Sequence, residues 1–292
     1  MIGLAVAWAL LKAQQVALYP LTHLENFMNL LIVSCLSTGL ILERLFPRRR
    51  AILDPRQIKR WARNISLGAF YRGIFLVAVI LPLIHAASLH PWYTRSERVP
   101  AGLFLVLDIL IIDLGNFLTH WLAHRNPFLW RFHAVHHSDS GLDVTTAIRT
   151  HFFEKALFVF SKIFLVMVFG IPFGNYIQAE AITLLIACFH HSNIKLPEKL
   201  ENLLKKVMTT PAFHEAHHHA YKPYTDSNYG FIFTLWDQWF HTQTLSTPGA
   251  NFVAGLDQTL NSSETESFEG LLLNPFFRAP DSGPIPSVGC ES

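Results

Sequence analysis

The spacing of histidine limits this fold more than any other feature. Twelve of the sixteen histidines lie between His120 and His219, in groups with helical periods. His120 and His124 form an H-x-x-x-H pair. His133, His136 and His137 form an H-x-x-H-H triplet, which His214, His217 and His218 repeat. Positions i, i+3 and i+4 share one helix face, so each group is predicted to aim its imidazoles at one point. Neutral imidazole is the commonest nitrogen ligand for metals and suits iron, zinc, copper and nickel. These eight histidines are too many for one tetrahedral zinc, which takes four ligands. The pattern predicts a two-metal centre held almost wholly by nitrogen, and a fold that gathers separated helices around it.

Composition places that centre. The chain is 51% hydrophobic and only 15% charged, with 24 Phe among 292 residues. Soluble domains carry about 25% charge, so a lipid-facing surface is expected. The expected fold class is all-α: one integral-membrane helical bundle with about four to six inserted helices and a cytoplasmic, histidine-rich helical cap. A net charge of +2 argues against a nucleic-acid partner. Cys35, Cys188 and Cys290 show no C-x-x-C spacing, so neither a disulfide framework nor a thiolate metal site is expected.

Apolar stretches approaching the roughly 20 residues that a bilayer needs run from about Leu24 to Leu45, Leu67 to Leu89 (with Pro82 inside it) and Ala101 to Thr119. Two shorter ones, 156–171 and 176–189, flank the breaker Gly170-Ile171-Pro172-Phe173-Gly174 and predict a helical hairpin. Ile2 to Leu11 reads as an amphipathic or weakly spanning helix retained in the mature chain. Arg44, Arg48, Arg49, Arg50, Arg56, Lys59, Arg60 and Arg63 make the loop after the first span cytoplasmic by the positive-inside rule. Counting spans onward from that loop puts every histidine group on the cytoplasmic face. Three regions follow: 1–100 with membrane helices and the basic loop, 101–244 with the histidines, and 245–292 as a polar, poorly ordered tail.

The stretch from Asp113 to Ser138 (DLGNFLTHWLAHRNPFLWRFHAVHHS) resembles the core signature of the fatty acid hydroxylase/sterol desaturase superfamily. Arg149-Thr-His151 with Glu154, then Phe189-His-His191-Ser-Asn193, Pro211-Ala-Phe-His214-Glu-Ala-His217-His218, Asp226-Ser-Asn228-Tyr-Gly230 and Leu235-Trp236-Asp237 extend the likeness over roughly residues 100–242. The resemblance implies a membrane-bound non-haem di-iron enzyme that uses O2 and two electrons to hydroxylate or desaturate a lipid C–H bond. It implies His120, His124, His133, His136, His137, His191, His214, His217 and His218 as ligands of two iron ions. Zinc has no redox chemistry, and no side chain supplies an oxidant for an unactivated C–H bond, which agrees with iron. His241 stands where the family more often has Gly.

Other residues have two readings. His151, His190 and His219 adjoin motif histidines and either touch metal or hydrogen-bond around it. Asp113, an ionisable residue in a span, is expected to support a ligand imidazole, with helix packing or loop capping as the plainer role. Asp226, Asn228 and Asp237 either orient ligand N–H groups or form turns. Arg149 and Glu154 are expected as a pair that stiffens the site. His214-Glu215-Ala216-His217-His218 also reads as H-E-x-x-H, in which Glu is the general base of a zinc metalloprotease. That reading, and that of a non-enzymatic metal carrier or haem anchor, leaves the gathering of the other histidine groups on one face unexplained. No haem-attachment motif, ferredoxin-like cysteine set or dinucleotide loop occurs. Electrons are therefore expected from a separate cytochrome, ferredoxin or flavoprotein. The boxes do not distinguish sterols, fatty acyl chains and other lipids, nor hydroxylation from desaturation.

Overall fold

The computed structural model describes residues 21–50, 53–72, 79–95, 100–245, 252–256 and 267–277, and among them regular structure is helical, with only isolated β-bridges. The expected helix at Ile2 to Leu11 and Cys290 lie outside these residues. Two described helices are long and apolar enough to cross a bilayer: α1, Leu21–Leu45, and, later in the chain, the helix Ala101–Arg125. At 25 residues each they are about 38 Å long.

The expected basic loop contains α2, Pro55–Tyr71, opened by an Asp54 cap that accepts from Gln57 N at 2.8 Å, with Pro55 in the first turn. Helix α3, Leu81–Leu89, carries Pro82 in its first turn. Ala101–Arg125 is α4. It ends at Asn126-Pro127, where Asn126 caps α5, Pro127–His137, by accepting from Phe128 N and Leu129 N. That break turns the chain back, so that His133 faces His120. A 3-10 turn at Val144–Ile148, with an Asp143 capping box, leads to the hairpin of α6, Phe152–Phe169, and α7, Phe173–His191.

The predicted breaker is where the hairpin turns. Gly170 has φ +60°, and a Cβ there would lie 2.2 Å from Tyr93 O, so only glycine fits. Shorter helices follow: α8, Glu198–Leu204; α9, Pro211–His217; α10, Lys222–Thr225; α11, Leu235–Trp239. Within the stretch read as a polar tail, Phe268–Phe277 forms α12, which buries Leu271 against Leu67 and Val135. Ten residues are too short a stretch to show a sustained helical period in the sequence.

Burial is inverted along the long helices. On α4, Asp108, Asp113, Asn116 and His120 are buried while Leu103, Val106 and Leu118 are exposed. On α6, Glu154 and Lys162 are buried while Phe160 and Phe164 are 67% and 55% exposed. Large apolar side chains facing outward over polar ones facing inward suit a lipid solvent. The apolar core joins α1, α3, α4, α6 and α7 through Met28, Ile84, Ile112, Val166 and Ile177. Its position leaves the C-terminal ends of α4 and α7 at one pole.

Candidate metal centre

At that pole, four helices present histidines in or beside their last turns. They are α4 (His120, His124), α5 (His133, His136, His137), α7 (His190, His191) and α9 (His214, His217, with His218 at its C-cap). A helix C-terminus carries roughly half a negative charge, so their convergence favours a cation.

The histidines fall into two groups, in each of which one nitrogen per ring lies within 4.8 Å of those of the others: His120, His124, His133, His137 and His217; and His136, His191, His214 and His218. All nine expected ligands are therefore brought together. The expectation that each triplet aims at a single point fails. Within each triplet, the residues four apart share a group (His133 with His137, His214 with His218), and the middle residue crosses to the other group. A step of three advances about 300° around a helix and a step of four about 400°; that difference straddles two adjacent sites.

Tautomers decide what the groups can hold. Nδ1 of His120, His136, His191 and His217 faces the carbonyl oxygens of Tyr229, Arg149, Ala187 and Ser227, at 2.8, 3.0, 2.7 and 2.7 Å. His133 Nδ1 faces Glu154 Oε1 at 2.8 Å. These oxygens only accept, so each Nδ1 carries the proton and each neutral ring turns a bare Nε2 lone pair inward. Yet His120 Nε2 lies 3.1 Å from His133 Nε2, and His136 Nε2 lies 3.1 Å from His191 Nε2. Two lone pairs cannot hydrogen-bond. The nitrogens sit as neighbours do around a metal with bonds of about 2.0–2.1 Å. Burial, reinforced by neighbouring imidazoles, pushes His136, His214, His217 and His218 well down, His217 to about 3. These rings are neutral donors at pH 7.

Surrounding polar groups hold these rings indirectly. Asp226 accepts from His124 Nδ1 at 3.4 Å, the ligand-orienting role among its two readings. Asp113 supports no imidazole; it accepts from Ile232 N, Phe233 N and Trp236 Nε1 and so anchors the loop whose Tyr229 carbonyl receives His120. Its plainer role, loop capping, is the one observed. Asp237 does the same for Tyr229 N and Gly230 N, and burial raises its carboxyl to about 6. Asn228, at φ +56°, donates to Phe213 O and Thr244 O, a turn role. Arg149 donates to Val135 O, Asn64 Oδ1 and Ser138 Oγ, while Glu154 serves His133.

His151, His190 and His219 lie outside both groups. His151 caps α6 and reaches Leu272 O, His190 donates to Phe231 O, and His219 accepts from Tyr221 N. Glu215, the would-be general base, is buried and ion-paired to both Arg48 and Arg49. His241 has φ +56°, which accounts for glycine being the commoner residue there.

A cavity of about 170 Å³ opens on His120, His133, His136, His191 and His214. It runs between α1, α4, α6 and α7 along apolar walls that include Met28, Phe158, Val159 and Ile177, and reaches the Lys162–Glu180 ion pair (2.6 Å).

The sequence pattern of the fatty acid hydroxylase family matches residues 105–242, which hold every one of these histidines. Residues 105–242 belong to that family. An ornithine lipid hydroxylase of Rhizobium tropici is 28% identical over 60% of this chain and 52% of its own length. An alkylglycerol monooxygenase of Xenopus tropicalis is 34% identical over 47% of this chain and 29% of its own. A cholesterol 25-hydroxylase-like protein of Danio rerio is 29% identical over 57% of this chain and 67% of its own. The chain thus spans about half or less of the first two relatives. No solved structure matches it. This family domain has lipid hydroxylases and monooxygenases among its relatives, and its histidine clusters can hold metal.

Three features of the site escaped sequence reasoning. The carbonyl partners of Nδ1 are main-chain atoms, which leave no side-chain signal. The hold of Arg48 and Arg49 on Glu215 spans 167 residues in the first case. Asn116, beside the histidines on the cavity wall, was legible only as the residue one turn before His120.

Proposed function

We propose that this chain is an integral-membrane, two-iron oxygenase that hydroxylates or desaturates a lipid C–H bond. The observation that carries the reading is the inward-facing set of bare Nε2 atoms at the mouth of a cavity with apolar walls. The relatives carry lipids in their names: ornithine lipid, alkylglycerol and cholesterol.

In this reading the group of five histidines holds one iron and the group of four holds the other. When bound, such a pair supplies the redox chemistry by which O2 and two electrons oxidise a C–H bond. The chain's own residues do the rest. Tyr229, Arg149, Ala187 and Ser227 fix each imidazole's tautomer through their carbonyls, so no ring need reorient to bind. Phe158, Val159 and Ile177 give the acyl chain an apolar path and exclude water from the reacting end.

Helices α1, α3, α4, α6 and α7 are the membrane-inserted part. Helices α5 and α8–α11 form the cap on the cytoplasmic side. The basic surface of that cap, with Lys195, Lys199, Lys205 and Lys206, receives a separate electron donor, a cytochrome, ferredoxin or flavoprotein. The zinc-protease reading loses its base, because both Glu215 oxygens are occupied by Arg48 and Arg49.

Purified protein should contain two irons per chain and form an oxidised lipid only with O2 and a reductase. His136→Ala should cost the iron of the four-histidine group and turnover with it, and His217→Ala should weaken the iron of the five-histidine group and lower turnover. Undiminished turnover in either variant rules out the assigned ligands.

A further inference from the structure

The cavity wall beside the histidines carries a polar side chain with nothing to bind. Asn116 lies one helical turn before His120 on α4, on the same face. It is 1% exposed, and neither its Nδ2 nor its Oδ1 has a hydrogen-bond partner. It lines the cavity together with His120 and His133. Burying an amide without partners is costly, and buried amides are nearly always satisfied. On the same wall, His190 Nδ1–H donates to Phe231 O, which leaves Nε2 a buried acceptor that also lacks a partner. Asp113, Asp237 and Asn228 are by contrast engaged by loops, and the unpartnered Asn116 falls where a ligand would lie.

We propose that Asn116 is a substrate-recognising residue, and that the lipid oxidised here carries a hydroxyl or secondary amide close to the C–H bond that reacts. The inference rests on the reading of this cavity as the lipid site. Asn116 offers two donors from Nδ2 and an acceptor at Oδ1. A ketone, ester or ether oxygen would satisfy only the donor side. A hydroxyl or secondary amide both donates and accepts, and its proton can go to Asn116 Oδ1 or His190 Nε2. One turn of α4 separates Asn116 from His120, about 5.4 Å, so a group held by Asn116 keeps only a few chain atoms between itself and the histidines.

The test is ligand binding to full-length, metal-loaded protein in one detergent at fixed micelle concentration, by displacement of fluorescent parinaric acid. The probes are 1-hexadecanol, N-methylhexadecanamide and hexadecane; comparing proteins at equal detergent cancels partitioning. Asn116→Leu removes the amide at nearly constant volume. It should weaken hexadecanol or N-methylhexadecanamide by about fivefold or more, leave hexadecane unchanged, and keep the metal content. Its ligand-free Tm should equal or exceed wild type, since an unsatisfied group has gone; a merely structural residue would lower it. Whichever polar probe responds identifies the hydroxyl or the amide. Asn116→Ala, which demands no extra room, should show the same selective loss should the leucine variant fold poorly. Equal weakening of all three probes, no weakening, or a lowered Tm in both variants overturns the proposal. Iron content and oxidised product are read separately, so a protein with polar selectivity but no iron would count against the oxygenase reading and not against this one.

Discussion

The two histidine groups share α5 and α9, take their other ligands from α4 in one case and α7 in the other, and differ in how they are held. The five-histidine group is tied by carboxylates, Glu154 on His133 and Asp226 on His124, as well as by the carbonyls of Tyr229 and Ser227. The four-histidine group is tied at Nδ1 by main-chain carbonyls, Arg149 and Ala187. Its helix α9 is clamped from outside by Arg48 and Arg49 on Glu215. One site therefore has ligands to spare and anionic support. The other depends on backbone position, and so on the packing of residues far away in sequence.

The largest effect should separate the two by ligand loss. His214→Ala leaves three nitrogens in its group, whereas His124→Ala leaves four in the other. The first should cost one iron and reduce turnover below ~1%; the second should keep both irons, with affinity about 10- to 100-fold weaker. Metal analysis with a product assay checks this, and equal losses would break the asymmetry.

Glu215→Gln strands two cations beside a neutral amide. Losing one partner of a fully buried pair costs about 3–5 kcal/mol. The guanidiniums are 21% and 29% exposed, so about 2 kcal/mol is expected after screening. Denaturant unfolding should show that loss, with metal leaving the four-histidine group first.

Glu154→Gln removes the charge behind His133. Metal affinity at the five-histidine group should fall about tenfold, measured by competition with a chelator, while the other group holds its metal.

Acid should act more gradually. The rings of His136, His214, His217 and His218 take up protons less readily folded than unfolded. Between their lowered pKa values and the unfolded value of about 6.5, the unfolded chain binds more protons, so stability of the metal-free protein should fall as pH drops below about 6.5 and be flat above it. Unfolding midpoints at pH 5 and 7.5 test the sign. The smallest effect lies outside both sites: His241→Gly relieves a left-handed backbone and should add about 1 kcal/mol.

The contrast also shows what was legible in sequence. The histidines that converge were, because imidazole chemistry and helical spacing belong to the residues themselves. So was the α6–α7 hairpin, since Gly170 has no substitute at its φ. The division of each triplet between two groups was not, because it depends on where α4 and α7 end relative to α5. Asp113 drew attention as a charge in an apolar run; that it holds the loop at Ile232 and Phe233 depends on a contact 119 residues away. The basic stretch before the second apolar run hid α2, whose Arg60 and Asn64 are buried against Asp139 and Asp143. Its charge suggested a solvated loop, and only those acids, about eighty residues on, make it a packed helix.

Iron analysis of the purified chain, paired with Mössbauer spectroscopy, tests the central claim most directly. Two irons per chain in distinguishable nitrogen-rich environments are expected, with one signal lost selectively in His214→Ala. A single metal per chain, or zinc in both groups with no O2-dependent lipid product, would contradict it.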